Sequence, residues 1–168
     1  KDNFIKNLLL DNLLLVDIYN RAKKLHIDTE AKRVIFIVET CHDRNVSALD
    51  SLKALLGNKG HDFITAVDEK NIIVVKELQN KDTYSDVEVY ANDVLTMLKS
   101  AGEGVVRIAY GTIVSDIREV SKSYKEAKLA LDVGRFFFDD KNVIAYSALG
   151  IGRLIYQLPI PLCKMFIK

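Results

Sequence analysis

Eight consecutive residues, Arg33-Val-Ile-Phe-Ile-Val-Glu-Thr40, constrain the fold of this chain more than any others. β-Branched and apolar residues fill the run without the alternation of a half-solvated strand, so it reads as a central strand covered on both faces. Such a strand requires two further layers, and the apolar periodicities on either side of it supply them. Before it, Phe4 to His26 reads as one helix, with Ile5, Leu8, Leu9, Val16, Tyr19 and Ala22 near one face. Leu13, Leu14 and Leu15 spread apolar surface beyond that stripe, so the helix needs a second surface to pack on. Leu9, Leu13, Leu14 and Val16 are therefore candidates for a contact with a second copy.

After the strand, Val46, Leu49, Leu52, Leu55 and Leu56 recur at helical spacing and stop at Gly57, which predicts a helix from about Asn45 to Leu56. Residues 62 to 78 hold two β-rich runs around the polar turn Asp68 to Asn71, an antiparallel hairpin. Ser85 to Ala101 is an amphipathic helix, with Ser85 and Glu88 as its capping box. Val105 to Tyr110 is a strand ending at Gly111. Asp116 and Glu119 are expected to open a further helix that buries Ile117, Val120, Tyr124, Ala127 and Leu131 and closes at Gly134. Asn142 to Tyr146 is a short last strand. Strand, helix, hairpin, helix, strand is an α/β (α+β) arrangement: a ferredoxin-like βαββαβ unit on a mixed sheet, extended by a helix and a strand and preceded by the N-terminal helix.

Composition limits the functions open to this fold. The 168 residues, 49% of them hydrophobic, suffice for one core. Lys and Arg number 24 against 23 Asp and Glu, leaving a formal charge of +1. That balance offers no excess to hold a nucleic-acid backbone at physiological salt. Cys41 and Cys163 have neither disulfide-framework nor zinc spacing, and the Cys41-His42 pair points to opposite sides of a strand end. Uninterrupted apolar stretches such as Leu13 to Val16 fall far short of the roughly 20 residues that cross a bilayer. A cytoplasmic protein without membrane contact is the expectation. The missing initiator Met and the unstopped apolar pattern at Pro161 to Lys168 suggest a segment of a longer polypeptide.

Three blocks of residues carry a resemblance. Arg107-Ile-Ala-Tyr-Gly-Thr-Ile-Val-Ser-Asp-Ile117, Ser123-Tyr-Lys-Glu-Ala-Lys-Leu-Ala-Leu-Asp-Val-Gly134 and Val143-Ile-Ala-Tyr-Ser-Ala-Leu-Gly-Ile-Gly-Arg-Leu-Ile-Tyr-Gln-Leu158 resemble the GGDEF-like domain of CdaR/PucR-type transcription regulators, a branch of the nucleotidyl-cyclase-like fold. The resemblance implies an N-terminal connector over residues 1–30 and a cyclase-like domain over 31–150. It also implies that residues 151–168 begin a connector to a helix-turn-helix that this chain does not contain. A homodimer is expected to relay effector state, with DNA bound only through the helix-turn-helix and a small-molecule effector sensed elsewhere in the parent protein. The alternative is a module that holds a small molecule or nucleotide in the old cyclase cleft.

A working cyclase of this fold needs carboxylates on the first strand and the hairpin to hold divalent cations, and a glycine turn that lets backbone approach the triphosphate. The hairpin tip here is Val67-Asp-Glu-Lys-Asn-Ile72, without the Gly-Gly pair, and Lys70 brings a positive charge to it. Glu39, Asp43, Asp68 and Glu69 remain as candidate metal ligands at one sheet edge. The chain lacks a GxxxxGK[ST] loop, a GxSxG elbow and HExxH, and Gly102-Glu-Gly104 is too short for a dinucleotide fingerprint. No catalysis and no cofactor are expected. His26, His61, Gly150 and Gly152 are read as surface, capping or close-turn residues.

Overall fold

The computed structural model describes residues 2–40, 49–50, 52–54, 61–68, 70–100, 105–137 and 142–149. Strand β1 (Arg33–Thr40) is buried along its whole length, as its unbroken apolar run requires. Antiparallel β3 (Asn71–Glu77) and β4 (Val105–Tyr110) flank it. β2 (Phe63–Ala66) pairs antiparallel with β3, and β5 (Val143–Ala145) lies parallel to β4. The order β2-β3-β1-β4-β5 is the split βαβ sheet with one strand added at the β4 edge.

Alternation along the strands divides the core. Ile35, Ile37, Ile73, Val75 and Ala109 face α1 (Asp2–Leu9) and α5 (Val120–Phe137). Val34, Phe36, Val38, Ile72, Val74, Ile108 and Tyr110 face α4 (Tyr84–Ser100). A helical segment, α3, described at residues 49–50 and 52–54, adds the buried Leu52 to this second cluster. Gly57 lies outside the described residues.

The N-terminal region is two helices rather than one. α1 stops at Leu9, and α2 (Leu15–Lys24) starts afresh. Asp11 takes φ 61°. Its N–H donates to the Leu8 carbonyl at 3.2 Å and the Asn12 N–H to the Asn7 carbonyl at 2.9 Å, a Schellman ending. α2 ends the same way on His26 (φ 58°), with the Ile27 N–H bonded to the Ala22 carbonyl at 2.8 Å. The break divides the expected stripe. Phe4, Ile5, Leu8 and Leu9 join the core of the sheet, so α1 is part of the domain's own packing, whereas Leu14, Leu15 and Val16 are exposed.

Two helix ends also differ from expectation. α4 is capped by Thr83, whose N–H donates to the Asp86 carboxylate at 2.8 Å, so the box sits two residues before Ser85 and Glu88. α5 follows a 3-10 turn at Ile117–Glu119 that is capped by Asp116. It runs through Gly134 to Phe137, because Gly134 serves packing rather than termination. A Cβ there would run into Ile144 Cδ1 on β5.

The first two of the blocks that carry the family resemblance meet at one junction. Gly111 leaves no room for a Cβ against the backbone carbonyl of Ser123. The Ser123 hydroxyl, wholly buried, donates to the Thr112 carbonyl at 2.8 Å and accepts the Ile35 N–H at 3.3 Å. Glu126 Oε1 accepts from the Thr112 hydroxyl at 2.5 Å. These residues seat α5 on the end of β4.

Candidate functional site

The C-terminal end of β1 and the β2–β3 tip lie side by side, as the acidic-cluster reading requires. The Thr40 N–H donates to the Lys70 carbonyl at 2.7 Å, and the Thr40 hydroxyl donates to the same oxygen at 3.1 Å. Of the four candidate ligands, Glu39 and Asp68 belong to this corner; Asp43 and Glu69 lie outside the described residues, as do Cys41, His42 and Cys163.

Glu39 is 7% exposed and shares the α5 side of β1 with Ile35 and Ile37. A carboxylate in that position must be paired, and two guanidinium groups pair it. Arg107, opposite Glu39 in the β1–β4 register, places Nε 3.3 Å from Oε1. Arg135 reaches across from the last turn of α5, its Nε donating to Glu39 Oε2 at 2.8 Å and its NH2 contacting the same oxygen. Arg135 NH1 also meets Asp132 at 3.3 Å. Burial pushes the Asp132 carboxyl above its ordinary range despite the opposing charges of Arg135 and Lys128, and the neighbouring charge of Glu39 adds to the rise.

Asp68 is used by its own hairpin. It accepts the Lys70 and Asn71 N–H groups at 2.8 Å each and the Asn71 side-chain amide at 2.9 Å. Partial burial would raise its carboxyl, but the bonds from Asn71 and Lys70 outweigh that and hold it below the usual carboxylate range. It is an Asx-type turn former. Lys70 is exposed, and its closest tie to this corner is its carbonyl on Thr40 rather than its charge.

The corner therefore contains a carboxylate whose cationic partners are built in. Hard divalent cations take six or more oxygen ligands. Among the described residues no group of three His, Cys, Asp or Glu side chains is disposed to hold a metal. Arg135 and Asp132 carried no signal as site residues. Arg107 carried one: a charged residue inside an apolar strand needs a buried partner, and Glu39 in the neighbouring strand is the one available.

The interface candidates separate by depth. Leu9 is fully buried in the chain's own core and Leu13 is packed against it, while Leu14 and Val16 are 75% and 70% exposed. Among the described residues no helix is long and apolar enough to cross a membrane.

No curated protein matches the chain. The sequence profile of the GGDEF-like domain family matches residues 12–133, from the break before α2 to the penultimate turn of α5. With the split βαβ sheet and the strand-end and hairpin corner in place, the chain belongs to the GGDEF-like domain family.

Proposed function

We propose that this is a non-catalytic regulatory domain of a bacterial transcription regulator of the CdaR/PucR type, which self-associates and relays effector state to a DNA-binding segment of the longer protein. The observation that carries the reading is the double guanidinium pairing of Glu39 by Arg107 and Arg135. A carboxylate already neutralised from two sides has little left to offer a cation, and removing its partners is costly in a buried site. Self-association is supported by Leu10, Leu14, Leu15 and Val16, which gather four exposed apolar side chains at the joint between α1 and α2.

Light scattering on the size-exclusion peak at several concentrations tests the relay. A concentration-stable dimer that Leu14→Asp with Val16→Asp converts to monomer is the expected result. A monomer at every concentration, or a dimer indifferent to both substitutions, rejects that surface. Incubation with nucleoside triphosphates and magnesium or manganese should leave them unconsumed. Metal-dependent turnover lost in Glu39→Ala would make the domain an enzyme.

A further inference from the structure

An open groove of about 410 Å³ runs along the outer side of α5, against the 3-10 turn Tyr146–Ala148. Ser121, Lys125 and Leu129, at four-residue spacing on α5, line it together with Lys122, Glu126 and Tyr146. Its size lies within the range of small-molecule sites. It is separate from the Glu39 corner, which is at the opposite end of α5.

The polar groups of the groove differ in how far they are already engaged. Glu126 is turned to Thr112, whose hydroxyl and N–H it accepts at 2.5 and 3.3 Å. Lys125 meets Asp11 at 3.2 Å, a pair with both side chains more than half exposed that holds it only weakly. Lys122 has no ion pair among the described residues, and the hydroxyl of Ser121, a residue only 8% exposed, has no hydrogen-bond partner among them. One lysine without an ion pair and one hydroxyl without a hydrogen bond among the described residues lie at one end. Leu129 and Tyr146, both half-buried and Tyr146 packed against the core, form the apolar part.

We propose that this groove binds a small aromatic carboxylate, its ring against Leu129 and Tyr146 and its carboxylate on Lys122 and the Ser121 hydroxyl. Lys122 and Lys125 against Glu126 leave the groove a formal charge of +1 beside its flat apolar contact, which favours an aromatic monoanion over a sugar or a dianion. Binding at this place goes beyond the relay reading and does not depend on it. A ligand here would press directly on the helix whose far end carries Arg135 to Glu39.

The probe is 2-naphthoate. The chain has no Trp, so naphthoate fluorescence can be followed on the intact protein without interference from indole. Saturable binding with a dissociation constant on the order of 1 mM is expected for a ligand of this size in an open groove. Lys122→Glu should weaken it about tenfold or more, and 2-naphthamide, which lacks the charge, should bind correspondingly weakly to the unaltered chain. Lys99→Glu, on the last turn of α4, should leave the titration unchanged. A titration identical in Lys122→Glu, equal binding of the amide, or no saturation at tenfold higher concentration overturns the proposal. None of these results alters the dimer mass that tests the relay.

Discussion

Two glycines in α5's surroundings have opposite consequences. At Gly111 a methyl group would meet the main-chain carbonyl of Ser123, which cannot move without shifting α5. At Gly134 it would meet Cδ1, the far end of the Ile144 side chain. Gly134 also sits inside a helix, where alanine is the better residue by about 1 kcal/mol. Gly111→Ala should therefore cost about 1–3 kcal/mol or more, the range of overpacked sites, while Gly134→Ala should fall within about 1 kcal/mol of neutral. Urea unfolding of the two variants checks this, and similar losses in both would mean that Ile144 is as rigid as backbone. Neither role was legible in advance. Gly134 resembled a helix stop because a glycine late in an apolar stripe is the usual sign of one, and only β5 beneath it makes it a packing residue.

At the scale of elements, the helix ends hold most of the differences between pattern and structure. The stripes of α4 and α5 were readable because Val87, Ala91, Val94, Leu95 and Leu98, like Val120, Tyr124, Ala127 and Leu131, recur at the helical period and are all buried. The division of α1 from α2 was not, since Asp11 and His26 close their helices in the left-handed region where glycine is the expected signal. Both residue types tolerate that region better than most, and Ile27, buried beyond His26, anchors the second ending. His26→Gly should relieve the left-handed strain and stabilise the fold by about 1 kcal/mol. A lower urea midpoint for that variant would show that the imidazole contributes more than its backbone costs.

At the scale of the whole molecule, four carboxylates among the described residues fall into two groups with opposite pH signatures. Asp86, through the Thr83 N–H, and Asp116, through the Arg118 side chain, are held below the usual carboxylate range, and Asp68 joins them through Asn71 and Lys70 despite its partial burial. Their folded values lie below the unfolded value near 3.8, so their contribution is complete above that pH and is lost as pH falls through the folded values. Asp132 is raised, so its contribution is present below 3.8 and lost as pH climbs through its folded value. Stability should drop as pH falls below about 4, and Asp132→Asn should raise the urea midpoint at pH 7 but not at pH 3. An unchanged midpoint at pH 7 would mean that the contact with Arg135 offsets the burial of Asp132.

The sequence by itself determined the doubly covered central strand, the hairpin, the order of strands and long helices from β1 onward, and the GGDEF-like family. Each of these rests on local periodicity or on contiguous residues, and β1's unbroken apolar run admits few other placements. The tertiary structure alone decided that Glu39 is matched by Arg107 and Arg135, because those partners lie 68 and 96 residues away along the chain and meet only when β4 and α5 pack against β1. It also decided which leucines of the first 16 residues are core and which are surface, since that depends on where a helix stops and what lies beneath it, not on the apolar count.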